Sequence, residues 1–396
     1  MLWLVDLDRT VAEGRMTAET ADLLKGRARR DATALAISVL QVGGTVTVLA
    51  GLFALIEGPA GVIVLGLAIT LAALAALMGL DERYRLPGEA GGVIGVASTL
   101  GGVFWFANEE VGNTWPAILL GLAVMLGGLL LRRSGPAALT RMGAWTAALG
   151  GAAHLAGVFG QEGTPDLAWI ALLDAAVVLG ALGLVLDFRL LTALAIPAVA
   201  GIVSSTGYGH GSYYLAVYEA TLTVIVMASV AGGAVLAAPR WPERWARHAR
   251  IAGLMAFVWA NIALWVGSLW GDVVGETLFG PRRAGFETGT GVDWEGYRAA
   301  RAVFRESALT IPAEAFALFW AAVILAVGVW AALGGRRSVL NAAITFGAIH
   351  FYTQWFEFFS DAPGALIVAG VVAIALAWGT HRLNAMLGAR AGEIEG

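Results

Sequence analysis

The 396-residue chain has no cysteine, only one lysine and few charged residues of any kind (14%). Without cysteine there can be no disulfide framework, thiolate nucleophile, zinc finger or iron–sulfur cluster. The single lysine, Lys25, lies outside the apolar segments, so these segments offer no amine for a Schiff base or for clamping a nucleotide. The net charge of −4 provides no large basic face for nucleic acid. These absences exclude most classes of soluble enzyme and all common nucleic-acid-binding proteins.

What the chain does contain is apolar sequence: 58% of its residues are hydrophobic and its mean hydropathy is +0.75. About 20 apolar residues in a helix cross the roughly 30 Å of hydrocarbon in a bilayer. Backbone groups must be paired within such segments, so the sequence predicts helices and an all-α, polytopic transmembrane helical bundle. Twelve runs qualify as spans: Ala34–Ile56, Pro59–Leu80, Ala90–Ala107, Trp115–Leu131, Gly143–Gly160, Leu167–Leu186, Leu190–Ser204, Tyr213–Leu236, Ile251–Gly271, Thr310–Leu333, Ser338–Phe359 and Ala362–Thr380.

The distribution of basic residues predicts the orientation of these spans. Alternate connections, beginning with the N-terminal segment, hold 20 of the 25 basic residues. Cytoplasmic loops carry the positive excess in membrane proteins. The sequence therefore predicts that both termini are cytoplasmic, with membrane lipids as the surrounding partner.

The spans and their connections divide the chain into four parts: residues 1–33, 34–271, 272–309 and 310–396. The first is too highly charged for a secretory signal and is predicted to be a cytoplasmic helical hairpin, with Gly14 ending one helix and Thr17 capping the next. It is also the candidate contact for a cytoplasmic protein partner. The third is predicted to lie outside, with Asp293 capping an amphipathic helix that rests on the membrane surface or covers an outward cavity.

Two pairs of spans suggest an internal repeat. Arg132-Arg133-Ser134 corresponds to Arg336-Arg337-Ser338 at a shift of 204 residues, and residues 151–154 correspond to residues 347–350 at a shift of 196. A parallel repeat of six plus six spans is a common transporter plan. Basic span ends and a Gly/Ala-rich background would produce similar matches without any duplication.

Two stretches resemble a known family. Residues 11–19, Val-Ala-Glu-Gly-Arg-Met-Thr-Ala-Glu, precede the first span, and Asn341 is followed by His350-Phe351-Tyr352 and by Phe356-Glu357-Phe358-Phe359. Both resemble bacterial membrane proteins grouped as domain of unknown function 2157. The resemblance covers about 60 N-terminal and 40 C-terminal residues. It implies a multi-pass protein of the bacterial cytoplasmic (inner) membrane with a cytoplasmic hairpin, and it implies no activity.

Ionisable and polar side chains within the spans are the candidates for function. An ionisable group at the centre of a span costs about 2.5–3.5 kcal/mol, so each needs a partner or a purpose. The acids fall at similar predicted depths near the outer surface, which favours one outward-facing wet vestibule; interhelical hydrogen bonding is the alternative. The candidate pathway residues are His154, Asp174, Glu219, Asn261, Glu314, His350, Gln354 and Glu357.

The eleventh predicted span carries the clearest pattern. A stripe of polar residues is spaced to fall on one helical face and to rise toward the outer surface: His350, Gln354, Glu357 and Asp361. An imidazole changes charge near neutral pH, so this stripe could pass or sense protons. His350 and Glu357 are not four residues apart, which disfavours a metal site on this helix. No metal and no cofactor are predicted.

The seventh predicted span is short, contains Pro197 and runs into a hydroxyl- and glycine-rich stretch at residues 204–211. Transporters use interrupted helices of this kind to free backbone groups for substrate. A flexible outer loop with small-residue packing is the plainer interpretation.

These observations favour a proton- or cation-coupled secondary transporter or permease for an unidentified small substrate. Two alternatives remain open. One is a non-transporting scaffold or sensor that acts through residues 1–33, and the other is a membrane-embedded enzyme acting on lipids. No hydrolase elbow, phosphate-binding loop or zinc-protease motif is present, so an enzyme is the less favoured class and no catalytic residue is assigned.

Overall fold

The computed structural model is almost entirely helical. It describes residues 16–25, 58–79, 85–134, 137–161, 168–203, 217–288 and 291–359, with isolated positions in 11–56 and 364–382. The helices are α1 (Pro59–Gly79), α2 (Arg85–Phe106), α3 (Trp115–Ser134), α4 (Ala137–Phe159), α5 (Ala168–Leu186), α6 (Arg189–Ile202), α7 (Ala220–Ala237), α8 (Glu243–Trp270), α9 (Glu276–Phe279), α10 (Trp294–Ser307), α11 (Ala313–Leu333) and α12 (Arg337–Phe359). Short π- and 3₁₀-helical turns follow α2 and α7 at Ala107–Val111 and Ala238–Arg240, and a further 3₁₀ turn spans Arg283–Phe286.

Four strands of two residues each add two small antiparallel sheets. Strand β1 (Asp272–Val273) pairs with β4 (Thr310–Ile311), and β2 (Glu287–Thr288) pairs with β3 (Gly291–Val292). All four lie in the connection between α8 and α11. The all-α prediction is therefore confirmed for the described residues, apart from these two small sheets.

Seven of the described helices are long and apolar enough to cross a membrane, and the protein is an integral membrane helical protein on that basis. They begin with α1 and end with α11, and α6 is a shorter apolar helix. Helices α4 and α12 are each 23 residues long but include polar residues such as His154 and Gln354. The count of twelve spans and the orientation stay predictions, because the first and last predicted spans lie almost wholly outside the described residues.

Several boundaries differ from the predicted spans. Helix α8 has 28 residues and begins at Glu243, two turns before the predicted start, because an arginine-rich segment continues the helix beyond hydrocarbon length. Helix α7 begins at Ala220 rather than at Tyr213. Helix α6 runs without interruption through Pro197 to Ile202, and the predicted break at residues 204–211 lies outside the described residues.

Near the N-terminus, the described residues include the predicted turn and the start of the helix after it, while the hairpin as a whole stays a prediction. Gly14 has φ of +69°, a left-handed conformation that ends helices. Residues 18–25 are helical, and the backbone N–H of Thr20 donates to the hydroxyl of Thr17 at 3.3 Å. The cap at Thr17 is confirmed. The first helix of the hairpin lies almost wholly outside the described residues.

The chain forms two compact units, Met1–Glu162 and Gly163–Gly396. In the first, α1 packs on α2, α3 packs on α4, and α2 also contacts α4. In the second, α5 packs on α6, α7 on α8 and α11 on α12, while α8 contacts α6, α11 and α12 as well. Helix α8 is the central element of the second unit.

The two hairpins of the first unit, α1–α2 and α3–α4, have close glycine contacts at equivalent positions 55 residues apart. A methyl group on Gly66 would lie within 3 Å of the backbone nitrogen of Thr99, and one on Gly121 would lie equally close to that of His154. The two positions of the second contact each lie 55 residues after the corresponding positions of the first. Three further contacts repeat at this interval: Gly95 with Thr70 and Gly150 with Met125, Gly102 with Ile63 and Gly157 with Ile118, and Gly88 with Leu77 and Gly143 with Arg132.

The sequence carries the same interval without a gap. Residues 65–68 and 120–123 are both Leu-Gly-Leu-Ala, and residues 102–104 and 157–159 are both Gly-Val-Phe. We interpret the two hairpins as a tandem duplication. The glycines recur every seven residues on α2 and α4, which keeps them on the contact side of a gently crossing helix pair.

This duplication is distinct from the six-plus-six repeat that the sequence suggests, which stays a prediction. One contact recurs only in part. A methyl group on Gly328 would contact the side chain of Ala343 at 3.8 Å, whereas one on Gly128 would contact the backbone nitrogen of Ala147 at 2.4 Å. Ala147 and Ala343 are 196 residues apart, as His154 and His350 are, but Gly128 and Gly328 are 200 residues apart rather than the 204 of the arginine pairs.

Replacing Gly150 by leucine should separate α3 from α4, because a side chain there meets the backbone of Met125. We expect a loss of about 1–3 kcal/mol in the free energy of unfolding, measured by denaturant titration in detergent. Gly127 is the matched control on the same hairpin, since a side chain there meets nothing within 4 Å. Its leucine variant should stay within about 0.5 kcal/mol of wild type. Equal losses at both positions would refute the close packing of these helices.

Candidate functional site

Two of the predicted pathway residues, Asn261 and His350, contact the same tryptophan, Trp320, in the core of the second unit. Asn261 on α8 and Trp320 on α11 are both fully buried. The indole Nε1–H of Trp320 donates to the Asn261 Oδ1 at 2.8 Å, and the Asn261 amide donates to the carbonyl of Phe257 at 2.8 Å. The ring of His350 on α12 meets Trp320 edge to face, with ring centroids 4.7 Å apart. We call these three side chains the Asn261–Trp320–His350 cluster.

Trp320 is the member of this cluster that sequence reasoning missed. Tryptophan in a span normally lies at the membrane interface, whereas Trp320 lies eight residues into α11. Its position within the span is the only feature of the sequence that could have indicated a role for it. It is packed by Leu264, Phe316 and Phe346, so the indole is held rigidly between Asn261 and His350.

The predicted stripe on α12 leads away from the cluster. His350 and Gln354 are half-buried, while Glu357, close to the end of the helix, is exposed. The His350 Nδ1 and the Gln354 Nε2 are both inaccessible to solvent, and among the described residues neither has a hydrogen-bond partner. Buried polar atoms of this kind are uncommon, and they usually mark a site for water or a ligand. We call His350, Gln354 and Glu357 the α12 polar stripe.

Glu219 is placed differently from its prediction. It lies one residue before α7 instead of within a span, and it is fully buried. Its carboxylate accepts hydrogen bonds from the backbone N–H of Gly275 (2.8 Å) and of Thr277 (2.6 Å) and from the Thr277 hydroxyl (2.9 Å). In return, Asp272 accepts from the N–H of Thr221 in the first turn of α7 at 2.8 Å. Glu219 therefore fastens the connection after α8 to the start of α7.

The remaining predicted residues are dispersed. Glu314 is exposed in the first turn of α11, and Asp174 is half-buried on the second turn of α5. His154 belongs to the first unit, where its Nδ1–H donates to the carbonyl of Ile118 at 3.1 Å. The nitrogen is assigned as the donor because a carbonyl only accepts. The structure thus brings together Asn261 and His350, with Gln354 and Glu357 on the same helix, and gives Glu219 and His154 local partners.

A second polar cluster, which sequence reasoning missed entirely, lies at the other end of α8. His248 is almost fully buried, and its ring nitrogens contact the Asp187 carboxylate at 2.9 Å and the Thr192 hydroxyl at 2.7 Å. Arg247 also donates to Asp187, at 2.8 Å. The hydrogen bond with His248 is the largest influence on Asp187 and holds the pKa of that carboxyl below its ordinary value.

The hydrogen bonds link a carboxylate, an imidazole and a hydroxyl in the order found in hydrolase triads. A catalytic hydroxyl must be accessible to substrate, however, and this one is buried. Thr192 is 7% exposed and His248 is 2% exposed, so no substrate reaches the hydroxyl. Asp187 occupies a left-handed turn (φ 56°) between α5 and α6, a strained conformation for a residue with a side chain. The cluster ties α8 to that turn, and its partners are 56 and 61 residues apart in the chain.

Residues 272–311, which we call the extramembrane module because the sequence predicts this segment outside the bilayer, hold a further charged network. Glu276 on α9 accepts paired hydrogen bonds from Arg301 (2.7 and 2.9 Å) and from Arg305 (2.5 and 2.9 Å) on α10. Burial opposes ionisation of Glu276, but the bonds and charges of the two arginines outweigh it and lower its pKa to about 2. Asp293 caps α10 by accepting from the N–H of Gly296 at 3.0 Å, which confirms the predicted start of this helix.

Across the described part of the chain, no three histidine, aspartate or glutamate side chains lie close enough together to hold a metal ion. Comparison with known proteins finds no matching family model, no matching curated protein and no matching solved structure. The resemblance to domain of unknown function 2157 stays a prediction.

Replacing Glu219 by glutamine should destabilise the protein, because the new amide group would face the N–H groups of Gly275 and Thr277. A buried donor left unsatisfied costs about 1–3 kcal/mol, which thermal unfolding in detergent can detect. Glu314→Gln is the matched control, since that carboxylate is exposed on α11. Equal stability of the two variants would show that Glu219 does not anchor the module.

The lowered pKa of Glu276 predicts a pH-dependent contribution to stability. Its folded pKa of about 2 lies below the ordinary value of 4.5, so the ion pairs stabilise the fold fully above pH 4.5 and are lost as the pH falls toward 2. Glu276→Gln should therefore melt below wild type at pH 7, with a difference that shrinks under acid. Glu306→Gln, at an exposed position on α10, should show no such dependence. A constant difference for Glu276→Gln across this range would contradict the assignment.

Proposed function

We propose that the protein is a secondary transporter or permease of the bacterial inner membrane, coupled to protons or a small cation. The pathway we propose follows the α12 polar stripe, beginning at the Asn261–Trp320–His350 cluster and ending at Glu357. This is narrower than the sequence-based hypothesis, which placed eight residues in one vestibule. It depends on residues of the second unit alone.

The observation that supports the proposal is the pair of unbonded buried atoms, His350 Nδ1 and Gln354 Nε2. An unsatisfied buried donor costs about 1–3 kcal/mol, and such groups persist in membrane helices where they line an ion or substrate path. The two residues are four apart, so they lie one above the other on α12. A water molecule or a polar solute between them would satisfy both.

Each residue of the stripe has a distinct part in this proposal. The His350 imidazole accepts and releases a proton, and its ring is oriented by Trp320. Trp320 is in turn held by Asn261, whose amide is fixed at both ends by hydrogen bonds. Gln354 offers a neutral polar group between His350 and Glu357. The exposed carboxylate of Glu357 exchanges protons or cations with the surroundings.

The two alternative functions receive less support from side-chain geometry. An enzyme acting on lipids needs accessible reacting groups, and the one triad-like arrangement, at Thr192 and His248, is buried. A scaffold or sensor acting through residues 1–33 requires nothing of the α12 polar stripe. The seventh predicted span is a continuous helix as far as Ile202, and the hydroxyl- and glycine-rich stretch beyond it lies outside the described residues, so this segment adds no argument for transport.

The test is proton movement into proteoliposomes that contain the full chain, under an imposed pH gradient or membrane potential and followed with an internal pH dye. We expect flux through wild type, and a loss on the order of 10- to 100-fold for His350→Ala and Glu357→Gln. Glu306→Gln is the matched control for an exposed carboxylate and should retain full flux.

Two outcomes would contradict the proposal: no gradient-driven flux through wild type, or full flux through His350→Ala. Folding of each variant is checked by its thermal unfolding in detergent. Removal of residues 1–30 separates transport from scaffolding, because a permease should keep its flux and a scaffold should lose its partner.

A further inference from the structure

The extramembrane module is fixed at the membrane by both of its ends. It follows Trp270, the last residue of α8, and precedes Ala313, the first residue of α11. The pairing of β1 with β4 places Asp272 opposite Ile311, so the entering and leaving chains run side by side directly at the span ends. The first and last residues of the module therefore lie at the level of the bilayer surface.

Three large apolar side chains protrude where the module meets these spans. Trp270 is 57% exposed, Phe279 is 77% exposed and Leu309 is 67% exposed. The N–H of Val274 donates to the carbonyl of Leu309 at 2.9 Å, and the ring of Phe279 packs beside Gly275, so Leu309 and Phe279 contact neighbouring residues of the chain. We call Trp270, Phe279 and Leu309 the apolar rim.

Helix α10 has both apolar and polar exposed side chains. Part of its aromatic side packs within the module, where Tyr297 meets Phe286 and Trp294 with ring centroids 5.7 and 6.2 Å apart, but Trp294 is still 51% exposed. Arg301 and Arg305 are turned toward Glu276. The exposed polar residues of the helix include Glu295, Arg298 and Glu306.

We propose that the apolar rim enters the interfacial layer of the lipid bilayer, while the polar side of α10 faces water. Leu309 of the rim lies four residues before α11, a helix long and apolar enough to cross a membrane, in whose second turn Leu318 and Phe319 are 75% and 53% exposed. Tryptophan and phenylalanine are favoured in that layer, and exposed large apolar side chains are costly in water. The occupant of the rim is thus lipid, and the contact does not depend on transport.

The absence of cysteine makes this proposal testable with single spin labels. Phe279→Cys and Glu306→Cys each place a label at an exposed position of the module, and the full chain is reconstituted in phosphatidylcholine–phosphatidylglycerol vesicles. Collision rates with oxygen, which concentrates in lipid, and with a neutral nickel chelate, which stays in water, report depth. We expect position 279 to favour oxygen several-fold more than position 306 does.

Leu309→Cys is a second rim position that keeps the test decisive if one variant fails to fold, and it should behave as Phe279→Cys does. Equal accessibility to the nickel chelate at positions 279 and 306 would place the rim in water and overturn the proposal. Shielding of positions 279 and 309 from both reagents would show that protein covers the rim, which also overturns it. These readouts are independent of flux, so failure of the proposed transport would leave them unchanged.

Discussion

A polar group inside hydrocarbon must find its partner within the protein, and this constraint shapes both units of the chain. Helices satisfy the backbone, and side-chain groups are satisfied one by one. Glu219 has three donors, Asn261 has a donor and an acceptor, and His154 has a carbonyl. The His350 Nδ1 and the Gln354 Nε2 are among the few buried side-chain atoms that have no hydrogen-bond partner among the described residues, and these two lie on one face of α12.

The two units meet the constraint by different means. In the first, heptad-spaced glycines bring helix backbones into direct contact, which leaves little room for side-chain chemistry between them. In the second, large side chains such as Phe316 and Trp320 fill the space between helices and separate the backbones. The contacts of Trp320 with Asn261 and His350 across three helices belong to the second arrangement.

Sequence reasoning succeeded where the signal was local and failed where it depended on tertiary pairing. Hydropathy located the described helices, and single residues predicted the caps at Thr17 and Asp293. The spacing of His350, Gln354 and Glu357 placed them on one helix, which requires only the helical period. Hydropathy put the start of the eighth predicted span at Tyr213, so Glu219 was predicted within a helix, whereas it immediately precedes α7. The partners of Glu219 and His248 lie more than 50 residues away, where no local pattern indicates them. The 55-residue duplication is present in the sequence, but the abundance of glycine and alanine conceals it until the contacts reveal its register.

The contrast between Glu219 and His350 decides which of the predicted groups suits transport. A carboxylate that accepts three hydrogen bonds from a turn must lose all three before it can hand a proton or cation onward, and its loss would also detach the extramembrane module. An imidazole with one unbonded nitrogen loses nothing when a proton or solute arrives there, and Trp320 keeps its ring in place throughout. Glu219, whose carboxylate accepts three hydrogen bonds, is thus suited to a structural role. A proton or cation would be exchanged at His350, whose Nδ1 has no hydrogen-bond partner among the described residues.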